Sequence, residues 1–282
     1  MFQLATPIYR SFLFVPVLNN KFIDKAAASM ADSVILDLEA SIPNDRKQDA
    51  RDALAGATET LKKQSKVAFC RVNAGSCDDL EAAIAAQVQG VIVPQVESSD
   101  QLRTAADIIG GATSPPALFP IIETPLGLYN LREIVALDVG VGGLMFGAED
   151  FVTAMGSRAQ PCRETLFNAA WQVAMVARAH GIYPYGITGT LANFRDVEAF
   201  TQLCLESSSI GFVGCPAIHP DQIAALHRAF SPTQQEIDHA KHVIREFEQA
   251  GHKAISVNNK MVDYPIYYRF KKLVEEYDRL AE

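Results

Sequence analysis

The chain is punctuated by eight short apolar runs, and several end in a charged or amide side chain: Val34-Ile-Leu-Asp-Leu-Glu39, Val67-Ala-Phe-Cys-Arg-Val-Asn73 and Leu118-Phe-Pro-Ile-Ile-Glu123. Each run is too short and too rich in β-branched residues to be a helix. Each is followed by a polar cluster and then a stretch with helical periodicity, which is how a βα unit reads in sequence. Strictly alternating elements of this kind make a parallel sheet. The nearest approach to a dinucleotide loop, Gly140-Val-Gly-Gly143, does not match GxGxxG and precedes a strand instead of following one. Closure into a barrel is therefore favoured over an open doubly wound sheet. The expected fold is α/β, a (β/α)8 TIM barrel with a C-terminal helical extension.

The expected strands are Ser11 to Val15, Ser33 to Leu38, Lys66 to Val72, Gly90 to Val93, Ala117 to Ile122, Gly143 to Phe146, Gly181 to Tyr185 and Phe212 to Gly214. Helical periodicity runs through Asp45 to Lys63, Ser98 to Ile109, Arg163 to His180 and Phe194 to Ser208, with Ser98 or Asp100 suited to an N-cap and Gly181 to a helix end. After Pro220 the pattern reads as helices only, Gln222 to Phe230 and Pro232 to Ala250, then a polar loop from Gly251 to Asn259 and a last helix from Tyr264 to Leu280. This divides the chain into a barrel over 1–225 and a helical lid or swapped segment over 226–282.

With 282 residues, 49% of them hydrophobic, the chain can bury one large core. A net charge of -8 with scattered Lys and Arg leaves no basic stripe for a nucleic acid. It also means that an anionic substrate must be held by a few placed cations or a metal, against the overall field. The odd set of cysteines, Cys70, Cys77, Cys162, Cys204 and Cys215, has no CxxC spacing, and no run is long enough to span a bilayer. A soluble cytoplasmic protein without a membrane partner is expected.

Residues just past the strands of a barrel gather at one rim, where such folds keep their chemistry. Glu123 and Asp150 follow neighbouring strands, and two carboxylates with positions left for water and substrate oxygens suit Mg2+. Asp150 also precedes a helical stretch and could serve as its N-cap. Arg71, late in the third strand, projects a guanidinium to the same rim. It can grip a carboxylate through two parallel hydrogen bonds or pair structurally with Asp37 or Glu39, and the two roles can coexist. Asp37 and Glu39 alternate with Leu36 and Leu38 and so face the same way, as outer acceptors that orient waters or Arg71. Gly147 and Ala148 leave backbone N–H groups free to meet an anionic oxygen. His239 and His242 sit on a charged surface without an HExxH motif, and His219 reads as a loop or capping residue or a ligand contact.

Taken together, Arg10-Ser-Phe-Leu-Phe-Val-Pro16, Val34-Ile-Leu-Asp-Leu-Glu39, Arg71-Val-Asn73, Val93-Pro-Gln-Val-Glu-Ser98, Pro120-Ile-Ile-Glu-Thr-Pro125, Gly147-Ala-Glu-Asp150, Ala217-Ile-His-Pro-Asp-Gln-Ile223 and Lys260-Met-Val-Asp-Tyr-Pro265 resemble the citrate lyase beta-subunit-like proteins of the HpcH/HpaI aldolase superfamily. The resemblance implies a trimeric or hexameric TIM barrel that binds Mg2+, or Mn2+ in its place. It implies cleavage or formation of a carbon-carbon bond in a citryl-, malyl- or citramalyl-CoA type 3-hydroxyacyl-CoA, from an acyl-CoA and a small 2-oxo acid. By that likeness Glu123 and Asp150 are the metal ligands, and Arg71, Asp37, Glu39 and Asp263 form the catalytic set. Asp263 would move a proton in its own or a neighbouring subunit. Arg71, Ala148, Glu149 and Arg10 are then the substrate-binding candidates. The chain departs from the family pattern at Ala40, Val17 and Gly186, and at Gln95 and Cys215, where lysines are usual. The missing lysines keep one rival open, a metal-dependent pyruvate aldolase not using CoA, and the resemblance itself leaves another, a non-catalytic subunit of a citrate-lyase-like complex, since such a beta chain can need companions that carry the acyl group.

Overall fold

Side chains alternate across a strand, so a run that is apolar at every position has one set of residues for the inside of a barrel and another for the helices around it. The computed structural model, which describes residues 7–156, 163–191 and 195–280, shows both sets in use. Among the described residues the strands are β1 (Ser11–Pro16), β2 (Ser33–Asp37), β3 (Val67–Arg71), β4 (Gly90–Val93), β5 (Ala117–Ile122), β6 (Leu144–Phe146), β7 (Pro184–Tyr185) and β8 (Cys215–Ala217). They form one parallel sheet in the order β7-β6-β5-β4-β3-β2-β1-β8. A bridge between Tyr185 and Gly214, supported by Gly186 N–H donating to Gly214 O at 2.8 Å, draws the two edges together into a nearly closed barrel. The helices are α1 (Asn20–Ala27), α2 (Lys47–Lys63), α3 (Cys77–Ala85), α4 (Ser99–Gly110), α5 (Pro125–Tyr129), α6 (Leu131–Val135), α7 (Ala148–Ala154), α8 (Arg163–Ala179), α9 (Val197–Ser209) and α10 (Ile223–Phe230).

The lower barrel is filled by aromatic rings. Phe12, Phe69, Phe119 and Tyr185 come from the alternate strands β1, β3, β5 and β7, and alternate strands supply the four side chains of one barrel layer. Their centroids lie 5.1 Å apart for Phe12 and Phe69, 5.0 Å for Phe69 and Phe119 and 4.9 Å for Phe12 and Tyr185, in edge-to-face contact. The strands between them give way at this level. A Cβ on Gly90 would lie 2.5 Å from Phe69 Cε1, and one on Gly143 would lie 2.5 Å from both Phe119 Cε1 and Tyr185 Cε2. Gly143→Ala is therefore expected to lower the urea midpoint of unfolding by the equivalent of about 1–3 kcal/mol, the usual range for overpacking a filled core. An unchanged midpoint would mean that the rings are not close-packed.

Two residues further along the same strands come the next inward positions: Phe14, Arg71 and Ile121, with Ile187 just past β7. Arg71 thus stands directly above the aromatic layer, its guanidinium carbon 4.6 Å from the centroid of the Phe14 ring.

The last strand lies at Cys215–Ala217, not at 212–214. Proline has no N–H for a ladder, which makes Cys-Pro-Ala a poor strand in sequence. Here the ladder to β1 begins at Cys215, while at Gly214 the chain passes so close that a Cβ would lie 2.1 Å from Tyr9 O. β7 is shorter than expected because Gly181, at φ +72°, closes α8 first. Ser98 caps α4 through a capping box with Gln101. The expected helix start at Phe194 and Cys162 lie outside the described residues.

The chain forms two compact units that divide between Phe230 and Ser231. The second holds α11 (Gln234–Gln249), the strands β9 (Ile255–Val257) and β10 (Lys260–Val262), and α12 (Tyr264–Tyr277). Its core is Val243, Phe247, Val257, Val262 and Tyr267. The expected polar loop is thus an antiparallel hairpin, turned by Asn258 and Asn259 at φ 51° and 61°. Left-handed conformations at both central residues are what a two-residue turn between strands needs, and Asn adopts them readily. No helix among the described residues is long and apolar enough to cross a membrane.

Candidate active site

Asp37 ends β2, Arg71 ends β3, Glu123 follows β5, and Gly147 to Asp150 follow β6. All therefore stand at the carboxyl rim. Asp37, Arg71, Glu123, Ala148, Glu149 and Asp150 line one cavity of about 460 Å³.

Arg71 is held by its own neighbours. Its Nε donates to Asp37 Oδ1 at 2.7 Å and its Nη2 to Asp37 Oδ2 at 2.9 Å, the fork-to-fork geometry of a bidentate pair. Its Nη1 lies 2.9 Å from Glu39 Oε2. Asp37 also accepts the N–H groups of Glu39 at 3.1 Å and Ser41 at 3.0 Å, which fixes it at the turn. Burial pushes the Asp37 carboxyl upward, but the Arg71 hydrogen bonds and charge prevail and hold it below its ordinary value. Glu39 behaves in the opposite way: burial raises it, against the charge of Arg71 and then Lys47, with the charges of Asp37 and Asp150 adding to the rise. Both roles foreseen for Arg71 are compatible with this geometry, because its Asp37 edge is locked while its Glu39 edge faces the less buried partner.

Glu123 has no ion-pair partner among the described residues. Its Oε1 accepts the Gln95 N–H at 2.7 Å. Its Oε2 faces Gly147, where a Cβ would lie 2.6 Å away, so glycine leaves the carboxylate its space. Burial pushes Glu123 up to about 8, with Gln95 N–H opposing and the charges of Asp150 and Glu39 adding to the rise against Arg71. A buried carboxylate facing a second one across a cavity is a site that a divalent cation relieves, and hard oxygens suit Mg2+. Among the described residues no three His, Cys, Asp or Glu side chains cluster as a metal cage. A cation at Glu123 and Asp150 would keep coordination positions for water or substrate.

Asp150 does not cap a helix. It lies within the first turn of α7, whose N-cap is Gly147, without a side-chain cap. The N–H groups of Ala148, Glu149 and Asp150 open this helix and have no intrahelical acceptor. Arg10 precedes β1 and so stands at the opposite, amino end of the barrel from these groups. There Nε donates to Asp32 Oδ2 at 2.9 Å and Nη2 to Asp32 Oδ1 at 2.7 Å. Burial opposes ionisation of Asp32, but hydrogen bonds from His227 and Arg10 lower it to about 2. At that end of a barrel a buried ion pair serves stability. Asp263 belongs to the second compact unit, where its Oδ1 accepts the Ile266 N–H at 3.3 Å and caps α12. His219 caps the turn at Pro220–Gln222.

Two supports escaped the sequence. Gln95 takes φ +52° and thereby aims its N–H at Glu123, and Lys47 Nζ donates to Leu38 O at 2.8 Å and Glu39 O at 2.7 Å, tying down the loop that carries Glu39. Each contact has a backbone group at one end, the Gln95 N–H in one case and the Leu38 and Glu39 carbonyls in the other, for which side-chain identity gives no signal.

Residues 10–220 match the family model described as HpcH/HpaI aldolase/citrate lyase. The chain belongs to this family. Among its relatives, a (3S)-malyl-CoA thioesterase of Cereibacter sphaeroides is 30% identical over 262 residues, 90% of each chain. Citrate lyase subunit beta of Escherichia coli is 30% identical over 281 residues, 95% of this chain and 92% of that one. Among solved structures, CitE of Mycobacterium tuberculosis in complex with magnesium, acetoacetate and coenzyme A superposes with a TM-score of 0.77 at 26% identity, covering 98% of this chain and 100% of that one. For an HpcH/HpaI family member the rim just described is the place to look for chemistry, since matched residues 10–220 contain every rim group named above.

Proposed function

We propose that the chain is a Mg2+-dependent carbon-carbon lyase that cleaves or forms a 3-hydroxyacyl-CoA of the citryl-, malyl- or citramalyl-CoA type, exchanging it with an acyl-CoA and a small 2-oxo acid. The observation that carries this reading is the pairing, in one cavity, of a locked guanidinium at Arg71 with the carboxylates Glu123 and Asp150, which form no ion pair among the described residues. Relatives named as malyl-CoA thioesterase, citramalyl-CoA lyase and citrate lyase beta subunit, and a fold relative crystallised with magnesium and coenzyme A, support the same class.

In this reading Glu123 and Asp150 hold the metal, which when bound polarises the 2-oxo oxygen. Arg71 grips the oxo-acid carboxylate through its Nη1 edge while Asp37 keeps the guanidinium from swinging. The uncapped amides of Ala148 and Glu149 meet the other end of the bound acid. As the carbon-carbon bond breaks, the alcohol gives up its proton and the thioester enolate released must take one up, and we assign this transfer to Asp263, in its own or a neighbouring copy of a trimeric or hexameric assembly. Gln95 and Cys215 favour one second reading, a pyruvate aldolase not using CoA, because the lysines usual there are absent.

Incubation of the purified chain with citramalyl-CoA is expected to release pyruvate and acetyl-CoA with Mg2+ and not with EDTA. Asp150→Ala is expected to lower turnover more than about 100-fold, beyond what losing an outer partner of a metal ligand does. Turnover that persists in EDTA would end the metal-dependent reading. Turnover by the chain alone would remove the rival of a non-catalytic subunit.

A further inference from the structure

Behind the Arg71 fork stands a carboxylate that does not line the cavity. Asp79, in the first turn of α3, is 0% exposed, and both of its oxygens are in use. Oδ2 accepts the backbone N–H of Asn73 at 2.8 Å and the Asn73 side-chain Nδ2 at 2.6 Å, while Oδ1 accepts Arg51 Nη1 at 3.0 Å. Asn73 lies two residues past Arg71, so Asp79 holds the chain where β3 ends. The same Asn73 Nδ2 also donates to Leu38 O at 2.9 Å, one residue past Asp37 at the end of β2. Leu38 N–H in turn donates to Arg71 O at 3.0 Å. One amide thus fastens together the two strand ends that carry the Asp37–Arg71 pair, and that amide is itself fastened to Asp79. The cations behind this corner come from one face of α2. Arg51 meets Asp79, and Lys47, one turn earlier, meets the carbonyls of Leu38 and Glu39.

We infer that Asp79 is a positioning residue for the oxo-acid site, setting through Asn73 where the Arg71 guanidinium stands relative to Glu123 and Asp150. The inference deepens the lyase reading and rests on it. A buried ion pair adds little net stability over apolar side chains of the same volume, so the Arg51–Asp79 pair does not by itself account for a carboxylate here. What the carboxylate supplies and an apolar residue cannot is an acceptor for two N–H groups of Asn73, and with it a fixed β2–β3 corner. Arg71 and the carboxylates of Glu123 and Asp150 serve the same small acid from different strands. A shift of the corner by about 1 Å therefore misplaces one grip relative to the other.

Asp79→Ala and Asp79→Asn separate positioning from stability. Both lose the charge that pairs with Arg51, whereas asparagine keeps an oxygen for the N–H groups of Asn73. Titration calorimetry of the full chain with pyruvate and with oxaloacetate, at saturating Mg2+, reads affinity apart from the folded fraction, which enters only through the stoichiometry. Asp79→Ala is expected to weaken each acid that the parent binds at least about tenfold, and Asp79→Asn to return affinity to within about threefold of the parent. Should Asp79→Ala not fold, Asn73→Ala, which keeps the Arg51–Asp79 pair, is expected to show the same loss of at least about tenfold. Binding by the folded alanine variant within about threefold of the parent, or Asp79→Asn as weak as Asp79→Ala, overturns the positioning role. Failure of the parent to bind either acid would instead bring down the lyase reading, and the positioning with it.

Discussion

Arg71→Ala is expected to abolish oxo-acid binding and to destabilise the fold in the same step. The side chain of Asp37 is 3% exposed, and its partner guanidinium is the group that keeps it ionised. Removing one member of a buried pair leaves an uncompensated charge, typically about 3–5 kcal/mol. Because Asp37 titrates below its ordinary value of 3.8, the stability it contributes is present above that value and is lost as pH falls through the lower folded one. The deficit of Arg71→Ala should therefore be large in urea unfolding at pH 7 and shrink toward pH 3. Arg71→Lys sharpens the test. A lysine keeps the charge but not the fork, so it should recover part of the stability and little of the affinity for a 2-oxo acid. An alanine variant as stable as the parent at neutral pH would show that Asp37 does not depend on this pair.

Arg71 could be picked out from sequence because it stands late in an apolar strand, and in the structure it shares the inward parity of Phe69. A residue two places after a buried aromatic on a strand faces the same interior, and a guanidinium there must find carboxylates. The same logic exposes Glu123 after Phe119 and Ile121. Arg10 came forward through motif membership alone, and its place before the first strand puts it at the amino end of the barrel, which carries ion pairs for stability. Cys-Pro-Ala was passed over as β8 and Asn258-Asn259 as a hairpin turn for a related reason: each is set by a tertiary or backbone requirement, a ladder to β1 in one case and two left-handed residues in the other. Gln95 lies at the limit of what residue identity can reveal. Its contribution is an N–H held at φ +52°, and the side chain that a reader of the sequence would weigh against the family lysine is not the part that touches Glu123.

Glu123→Gln separates the metal from the fold, since the two respond with opposite signs. With no cation bound, Glu123 titrates at about 8 instead of its ordinary 4.5, mainly through burial and then the neighbouring charges of Asp150 and Glu39. A raised folded value means that stability is fully present below 4.5 and declines as pH rises to about 8, beyond which the loss is complete. Glutamine keeps an oxygen for the Gln95 N–H and never ionises. In EDTA at pH 9 the variant should therefore be more stable than the parent by roughly 3–5 kcal/mol, while at pH 4 the two should be alike. Added Mg2+ reverses the order. In the parent it binds the ionised form, so below pH 8 each bound ion displaces a proton and affinity climbs about tenfold per pH unit. The variant should show no Mg2+-dependent rise in melting temperature, and its turnover should fall roughly a thousandfold, the several kcal/mol that a Lewis acid supplies. Thermal melts over this pH range with and without Mg2+ read both effects in one experiment. A metal-free variant no more stable than the parent at pH 9 would mean that Glu123 is not held as a strained charge, and that the cavity has another reason for its two carboxylates.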